Sequence, residues 1–483
     1  MTVAGTAMPG VNGRSQDRVF SFLAALIVWV MFIIMSVPGN MDFFWTGNVN
    51  GSEANPVTRT LWICMFAIGI AILLLRISLT VRLIRQVDVF LWLFIGLATV
   101  SIIWSIDPQQ TGVRLFRLYA MSTALLAIAA GGWNLRRFQE LVRPPVTFLL
   151  AASIVFCLMN PAAAIHHEPN PELINAWHGV FPTKNSLGAV AAFGFIVWSH
   201  AWLTRETGRT RALLGACIAA VCLVKSRSST STIATVLSVM ALLLLMRTPG
   251  SMRRSVRYLS TALILVILLY SLAMLKLIPG SDIILSPIPL ITGKSLTFSN
   301  RSDIWAAVLE HVRLRPLLGS GYSAYWTVAV PSPYMESYSI MAKLNGFYPG
   351  SAHNGYLQVL NDLGAVGLAC LLGYIAVFFR QSIRLYVMNR GQGALFLGLL
   401  LQQATINLSE PLWLNTEVID FAMMTMATTC LARILLEARM QLASGSKSAA
   451  PTNDQLPRPE QLRPSRPGRA WKSAPRRRYP FRP

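Results

Sequence analysis

Long apolar runs limit what this chain can fold into more strongly than any other feature of its sequence. Twelve runs are long enough to cross the hydrocarbon layer of a membrane as helices, which takes about 17 to 25 residues. Backbone N–H and C=O groups find no water in lipid, so each run must pair them within a helix. The sequence therefore predicts an all-α polytopic membrane protein of twelve transmembrane helices, which begin near Val19, Leu61, Asp88, Val113, Pro145, Ser186, Arg211, Ser229, Val256, Gly355, Gly393 and Glu417.

The charge of the chain is distributed by membrane side. Only 13% of the residues are charged, whereas soluble domains carry roughly 25%. A net charge of +22 on a soluble protein would suggest a nucleic-acid partner. Here, with the N-terminus in the cytoplasm, the inner segments carry eighteen arginines and the short outer loops carry four basic residues. This asymmetry predicts that both termini are cytoplasmic, and no nucleic-acid partner is expected.

The predicted topology divides the chain into five segments. They are a cytoplasmic N-terminus (1–18), transmembrane helices 1–9 (19–275), a large outer loop (276–352), transmembrane helices 10–12 (353–436) and a disordered, basic, proline-rich cytoplasmic tail (437–483). The first apolar run is too long for a cleaved secretory signal, so we expect a retained helix. The tail either attracts anionic lipid headgroups or is solvated without a partner.

The large outer loop contains the signals of an amphipathic helix. Ser299 or Asn300 can cap its start, and Pro316, Gly319 and Gly321 can end it. Between these limits an apolar stripe recurs at helical spacing, formed by Ile304, Trp305, Val308, Leu309 and Val312. We therefore expect a helix that lies over the outer mouth of the membrane region.

Motifs for nucleotide or metal chemistry are absent from the sequence. There is no GxxxxGK[ST] loop, no HExxH, no paired-cysteine spacing and no DxD run, so we expect neither a metal nor another cofactor. Four polar clusters remain, all on the predicted outer side. They are AWHGVFPTKNSLG with His178, Lys184 and Asn185; KSRSSTST with Lys225 and Arg227; SNRSDIW with Arg301 and Asp303; and SAHNGYLQVLND with His353 and Asn354.

Each cluster also has a purely structural interpretation. Lys184 and Arg227 could extend their charged ends from the membrane to the interface. Arg301 could pair with Asp303 at a helix end, and His353 could be a hydrogen-bonded residue at a helix start. The remaining outer histidines could be ordinary loop residues; they are His166, His167 and His178.

Two arginines near the outer start of the fourth helix form a further candidate site. Arg114 and Arg117 are three residues apart and so share a helix face. A structural pair with Asp420 and a contact with a lipid phosphate are both compatible with this position.

Taken together, the clusters predict a site for a large anion. The arginine guanidinium binds phosphate oxygens through two parallel N–H donors, and Arg227 and Arg301 could supply such donors. The tenth helix, which we expect to begin at Ser351, points its amino end outward and so favours anions. The same field disfavours a protonated imidazole, which predicts a neutral His353 that is competent as a general base. A lipid-linked sugar, with its membrane-embedded pyrophosphate, fits such a site.

The order of these motifs resembles that of a known family. AWHGVFPTKNSLG, SRSSTS, NRSDIWAAVLEHVRLRPLLGSGY and SAHNGYLQVLNDLGAVGL together resemble the O-antigen ligase and Wzy-type polymerase superfamily, and within it the exopolysaccharide polymerases of the succinoglycan type. The resemblance covers roughly residues 170 to 410. It implies a GT-C-like glycosyltransferase of the bacterial inner membrane that acts without a metal at the periplasmic face.

The resemblance also implies roles for single residues and partners. Arg301 and Arg227 would bind the diphosphate of an undecaprenyl-diphosphate-linked saccharide, and His353 would activate the acceptor hydroxyl. Asn354 would orient the imidazole or the sugar. The other candidate substrate-binding residues are Lys184, Asn185, Lys225, Arg114, Arg117 and His178. Expected partners are lipid-linked oligosaccharide donor and acceptor, membrane lipids, and polysaccharide assembly and chain-length proteins.

Three functions are open on this basis. The leading hypothesis is a polymerase that joins lipid-linked repeat units into exopolysaccharide or O-antigen. The first alternative is a ligase that transfers glycan to a lipid A core or a protein. The second is a polysaccharide transporter or flippase, against which the sequence offers two arguments. Transporters of this size often show two related halves, and here no internal repeat is visible and the longest loop follows helix nine on the outer side.

Overall fold

The computed structural model describes most of the helical part of the chain. The described residues are 11–36, 56–132, 134–167, 173–248, 301–326 and 349–448, with single positions at 255, 258, 262, 266, 269, 273, 281 and 344; side chains are described from 19 to 441 within these ranges. The chain divides into two compact units, Met1–Glu437 and Ala438–Pro483. Every contact given below lies within the first unit.

Fourteen helices are bounded in the described ranges, together with a 3-10 turn at Ser101–Ile103. They are α1 Val11–Ser36, α2 Pro56–Leu75, α3 Ile77–Gln86, α4 Val89–Val100, α5 Pro108–Ala130, α6 Arg137–Met159, α7 Pro161–Ala164, α8 Lys184–Thr204, α9 Arg209–Lys225, α10 Ser229–Arg247, α11 Arg301–Val312, α12 Gly355–Met388, α13 Arg390–Ile406 and α14 Ile419–Ser448. The described residues contain no strand, only an isolated bridge between Ile165 and Trp177.

The helices confirm the prediction of an all-α polytopic membrane protein. Eight of the described helices are long and apolar enough to cross a membrane, and a bent pair, α3 with α4, would make a ninth. Helices α9 and α13 have 17 residues each, at the lower end of the spanning range. Of the predicted ninth helix near Val256, only single positions are described. Helix α14 lies at the centre, because its whole spanning segment is buried.

The run predicted to span from Asp88 is a short helix that follows a sharp bend. Helix α4 has 12 residues and begins where the Asp88 carboxylate accepts the backbone N–H of Phe90 at 2.8 Å. It meets α3 at 96°. The apolar residues Ile77, Val81 and Ile84 of α3 are 55%, 41% and 39% exposed. A helix with an exposed apolar face and basic residues lies in the membrane interface, which is why this region is not one straight span.

The helix predicted in the outer loop is confirmed as α11. Its side chains Ile304, Trp305 and Val308 are buried, and the Trp305 indole donates to the carbonyl of Ala352 at 3.0 Å. The helix ends at Val312 and is followed by turns. The two proposed caps at 299 and 300 lie outside the described residues.

A break in α12 joins this loop to the membrane helices. Gly364 has φ 64° and ψ −164° inside the helix, and a Cβ there would meet the Leu317 backbone at 2.2 Å. The loop supplies the hydrogen bonds that the break removes. Ser320 and Gly321 donate to the carbonyls of Asn361 and Asp362, and Ala365 and Val366 donate to those of Pro316 and Leu317, at 2.8 to 3.2 Å. Backbone at membrane depth must be satisfied by protein in this way.

Candidate functional site

The start of α12 sets the position of His353. Of the two predicted starts of this helix, Gly355 is confirmed and Ser351 is wrong. The Asn354 side chain accepts the backbone N–H groups of Tyr356 and Leu357, both at 3.0 Å, and such a cap fixes where a helix begins. His353 therefore precedes the cap, in the left-handed region at φ 46°. Only a few per cent of residues other than glycine adopt this conformation, so it marks a constrained position.

Asn354 is fully used by the fold. Besides capping α12, its amide donates to the Leu408 carbonyl at 3.2 Å, and the residue is 0% exposed. The amide holds α12 against the segment that follows α13. The structure therefore gives Asn354 a positioning role, and the expected contact with the imidazole or the sugar has no support in its geometry.

The imidazole of His353 is partly buried beside a cation. Its Nδ1 is buried without a hydrogen-bond partner, whereas the ring has a backbone hydrogen bond at Pro349. The interpretation as a hydrogen-bonded helix-start residue therefore stays open beside the chemical one. Burial, and after it the positive charge of Arg301, lowers the pKa of His353 from its ordinary 6.5 to about 4; the carbonyl of Pro349 acts in the opposite direction. The ring is therefore neutral near pH 7, as a general base must be.

Glu410 joins two of the predicted clusters. Its Oε1 accepts from the Arg301 guanidinium at 2.9 Å and from the Asn185 amide at 2.7 Å. Burial raises the pKa of Glu410, whereas the charges of Arg301 and Lys184 oppose that shift. The alternative pairing of Arg301 with Asp303 is wrong, because the arginine turns to Glu410. The first and third clusters thus meet around this carboxyl group, and His353 of the fourth lies within range of the Arg301 charge.

The segment that carries Glu410 is built around one asparagine. It lies between α13 and α14 and reads NLSEPLWLNTEV from Asn407 to Val418. The Asn407 side chain accepts the backbone N–H groups of Leu412 and Trp413 at 2.9 and 2.7 Å. Its backbone carbonyl accepts the N–H of Gly355 at 2.8 Å. This network fixes the Glu410 segment to the start of α12, next to His353.

The serine-rich turn of the second cluster contacts the Glu410 segment, but its basic side chains Lys225 and Arg227 contact a different loop. The Ser409 hydroxyl donates to Thr230 at 2.8 Å. Arg227 is exposed, has φ 51°, and donates to the Ile174 carbonyl at 2.6 Å. The Lys225 ammonium lies 5.5 Å from the centre of the Trp177 ring. The described contacts thus join this turn to Glu410 through its hydroxyls, while Arg227 and Lys225 contact the loop before α8.

His178 belongs to that loop. Its Nδ1 lies 2.9 Å from the Phe181 carbonyl, and its ring centre lies 4.9 Å from that of His166. His167 contacts the Pro161 carbonyl at 3.2 Å. These contacts favour the loop-residue interpretation for all three histidines.

Arg114 and Arg117 form an ion pair with a different acid from the one predicted. Both contact the Glu417 carboxylate, Arg117 at 3.4 Å. The predicted partner Asp420 is 2% exposed inside α14, whereas Glu417 is three residues earlier, in the segment outside the helix. The pairing with Asp420 is therefore wrong, and the shared helix face of the two arginines is confirmed.

Arg114 also lines a cavity of about 280 Å³ beside the Glu410 segment. Its aromatic walls are Phe94, Tyr322, Trp326 and Trp413, and its polar groups include Arg114, Ser351, Gln358, Asp362, Asn415 and Glu417. Ser351 precedes His353 by two residues and Pro411 follows Glu410 directly. Aromatic faces with a few fixed polar groups are typical of small-molecule sites. The cavity thus adjoins the His353 and Arg301 cluster.

Glu410 and most of the cavity residues are not predicted from the sequence. The expected ligand was an anion, so the candidate residues were cations, and the segment between the last two helices carries no basic residue. One feature of the sequence does point to this segment. NLSEPLWLNTEV separates two apolar runs and contains a proline and two acidic residues, which is more than a short polar turn between helices requires.

Part of the chain that carries this site is similar to known proteins. The O-Antigen ligase family matches residues 212–372, which include Arg227, Arg301 and His353. The exopolysaccharide production protein ExoQ of Rhizobium meliloti (strain 1021) is 27% identical over 318 residues, which cover 62% of this chain and 67% of that protein. The family match spans the α11 helix, the loop that fills the α12 break and the start of α12. The chain is thus similar to the O-antigen ligase family over these residues and to an exopolysaccharide production protein over 318 residues.

Proposed function

We propose that this membrane enzyme polymerises undecaprenyl-diphosphate-linked oligosaccharide repeats into exopolysaccharide. The observation that carries the proposal is the meeting of Arg301 and a neutral His353 beside the 280 Å³ cavity. A cation for a leaving diphosphate and a base for an attacking hydroxyl are the two groups that glycosyl transfer from a lipid diphosphate needs. The similarity to the O-antigen ligase family supports an enzyme of polysaccharide production in general, and Arg301 and His353 supply the cation and the base for glycosyl transfer.

The reaction follows from this arrangement. The acceptor sugar hydroxyl gives its proton to His353, and its oxygen attacks the anomeric carbon of the donor. The bond from that carbon to the diphosphate oxygen breaks, and the electron pair leaves with undecaprenyl diphosphate. Arg301 stabilises the charge that develops on the diphosphate, which is where fixed cations lower a barrier most. One glycosidic bond replaces one glycosyl–phosphate bond, and no metal is needed.

Glu410 acts through Arg301 in this scheme. The guanidinium carries five N–H donors, and the recorded bond to Glu410 uses one, at Nη2. The carboxylate therefore fixes the direction of the arginine while leaving further donors of the fork to meet phosphate. Asn185, which bonds the same oxygen at 2.7 Å, holds the start of α8 in place. Glu410 and Asn185 are thus proposed as positioning residues.

The cavity is proposed as the seat of the acceptor sugar. Trp326 and Trp413 offer flat apolar faces for sugar rings. Gln358 holds both oxygens of Asp362 at 3.1 Å, which fixes a carboxylate toward the sugar hydroxyls. A sugar in this cavity would present a hydroxyl near His353, since Ser351 lines the wall.

The proposed face of the membrane is the periplasmic one. Arg301, Asn185 and Glu410 meet at the Lys184 end of α8, whereas Arg136 and Arg143 contact Glu206, beyond its Thr204 end. A helix of 21 residues is about 30 Å long, so the two groups lie at opposite ends of the membrane region. Basic residues favour the cytoplasmic end, which leaves the site outside, in the bacterial inner membrane.

Purified enzyme incubated with defined lipid-linked repeats tests the proposal. We expect a ladder of lipid-linked products that differ by one repeat, and no ladder from His353→Ala. Deleting the gene should make single lipid-linked repeats accumulate.

The family description favours ligation as the second candidate function. In that case the pure enzyme makes no ladder from repeats alone, and the deletion accumulates full-length, unattached polymer. Movement of labelled lipid-linked sugar across vesicles without any joining would instead support a flippase and contradict both transfer reactions.

A further inference from the structure

Three arginines converge at the end of the bundle opposite to Glu410. Arg76 lies between α2 and α3, Arg137 begins α6, and Arg433 is in α14. Arg433 experiences the positive charges of both other arginines. Arg114 near the outer end of α5 and Ala130 at its inner end are 16 residues apart, or about 24 Å along a helix. The cluster is therefore separate from the catalytic site.

Two of these arginines cap a helix, which accounts for part of their role. Arg76 donates to the Ala130 carbonyl at 3.4 Å, and the Arg137 Nε donates to that of Ile128 at 3.3 Å. Basic side chains at the last carbonyls of a helix stabilise it. A cap uses only some of the donors of a guanidinium, so it does not explain why a third arginine is present.

Buried donors without acceptors point to a ligand. Arg433 is 8% exposed, and its Nε and Nη1 are buried without a hydrogen-bond partner, as is Nη2 of Arg137. A buried charged N–H that is left unpaired destabilises the fold, so such groups normally have an acceptor. Arg137 and Arg433 line one cleft with Asn134 and Cys430, and its cavity of about 10 Å³ admits a single oxygen-sized atom.

The acids beside Arg137 and Arg433 do not satisfy the buried donors of these two arginines. Glu437 pairs with Arg433 at 2.5 Å through Nη2, and Glu140 acts on Arg137 while it accepts from the Asn134 amide at 2.6 Å. Nε and Nη1 of Arg433 and Nη2 of Arg137 are left without an acceptor. These donors favour an anion whose oxygen fills the cleft, and the arginine guanidinium fits phosphate oxygens best.

The level of the cluster in the membrane identifies the source of the phosphate. Arg76 directly precedes α3, whose apolar residues are exposed as in a helix that lies among lipid headgroups. We propose that Arg76, Arg137 and Arg433 bind the phosphate of an anionic phospholipid in the leaflet opposite to the catalytic face. One phosphate oxygen enters the cleft between Arg137 and Arg433, and the rest of the headgroup stays at its rim.

Thermal unfolding and native mass spectrometry of the purified full chain in detergent test this site. We expect phosphatidylglycerol to raise the unfolding midpoint by about 3 °C and to leave one lipid bound, and phosphatidylcholine and inorganic phosphate to do neither. Arg433→Gln and Arg137→Gln should each lose the response. Arg85→Gln, which removes an exposed arginine of α3, is the matched control and should keep it.

Three results would overturn the proposal. A midpoint raised equally by inorganic phosphate would assign the site to a free anion and not to a lipid. Equal responses to the two lipids would remove the role of headgroup charge. A response kept by Arg433→Gln and Arg137→Gln, with both variants monodisperse and helical by circular dichroism, would place the lipid elsewhere.

Discussion

The two ends of α8 carry clusters of nearly the same residue types. At one end Glu410 meets Arg301 and Asn185, with His353 close by. At the other end Glu206 meets Arg143 at 2.5 Å and Gln392 at 3.2 Å, and His200 lies 3.7 Å away; Glu206 is 2% exposed and His200 0%. Each cluster thus combines a carboxylate, arginine, an amide and a histidine, and the Glu206 cluster has a second arginine, Arg136, at 3.8 Å.

What differs is access. Both carboxylate oxygens of Glu206 are bonded, and the His200 Nε2 lies 2.9 Å from the Gly391 carbonyl inside the packed helices. Arg301 is 19% exposed, and the backbone at His353 is held at φ 46° next to a cavity. Unpaired ring nitrogens occur in both clusters, at Nδ1 of His200 and of His353. Residue types and unpaired donors alone therefore do not separate a structural network from a chemical site; access to a cavity does.

Replacing the two histidines should separate the ends most sharply. We expect His353→Ala to lower the rate of chain growth by about 10² to 10⁴, the usual contribution of a general base, with little change in unfolding temperature. His200→Ala should keep the rate per folded molecule and lower the unfolding temperature, because it leaves the Gly391 carbonyl buried without its partner. Polymer at the normal rate from folded His353→Ala would contradict the proposed mechanism.

Replacing the two arginines should give the same contrast at a smaller scale. Arg301→Gln is expected to lower the rate by about 10² to 10³, the effect of removing one transition-state donor. Arg143→Gln breaks a buried pair, which costs about 3 to 5 kcal/mol of stability, and should leave turnover of the surviving protein unchanged.

Double variants sharpen that comparison, because they remove the carboxylate that each single change leaves unpaired. Arg143→Gln with Glu206→Gln should recover the unfolding temperature, with turnover per folded molecule unchanged throughout. Arg301→Gln with Glu410→Gln should recover stability alone. Recovery of polymer synthesis by the second pair would show that Arg301 serves the fold and not the reaction.

Replacing only the Glu410 carboxylate should have an intermediate effect. Glu410→Gln keeps an acceptor for Arg301 but removes the charge, and a charged hydrogen bond contributes about 1.5 kcal/mol, so we expect roughly a tenfold fall in kcat. Because Glu410 acts through the arginine, the KM for acceptor should stay the same. Glu410→Asp, assayed in parallel, should recover part of the rate; equal kcat for wild type and Glu410→Gln would refute the positioning role.

The smallest effect should be on the pH dependence. The base must be unprotonated, and the pKa of His353 is lowered from 6.5 to about 4, so activity should stay level from pH 7 to about 5 and fall below that. Between pH 6.5 and 4 the unfolded histidine takes up a proton that the folded one does not. The stability contributed above pH 6.5 is therefore lost progressively toward pH 4, and His353→Ala should show a smaller loss. An activity midpoint near 6.5 would contradict a buried, neutral base.

Much of this protein follows from its sequence. The apolar runs require helices because lipid cannot hydrogen-bond to unpaired backbone groups. The apolar stripe from Ile304 to Val312 predicts α11, because residues at this spacing lie on one face of a helix. Clusters of arginine, lysine and histidine between apolar runs marked Arg301, His353 and Asn185 as one group, because helix ends of the same side share a membrane face.

The tertiary structure alone decided which partners these residues have. Glu410 is 109 residues from Arg301 and 225 from Asn185, and no local pattern encodes a contact at such separation. The break at Gly364, the turn of Arg227 toward Ile174 and the choice of Glu417 over Asp420 depend on how helices pack and which loop fills a gap. A sequence records periodicity and charge, which are local, whereas access to a cavity and the satisfaction of a buried carboxylate are properties of the packed molecule.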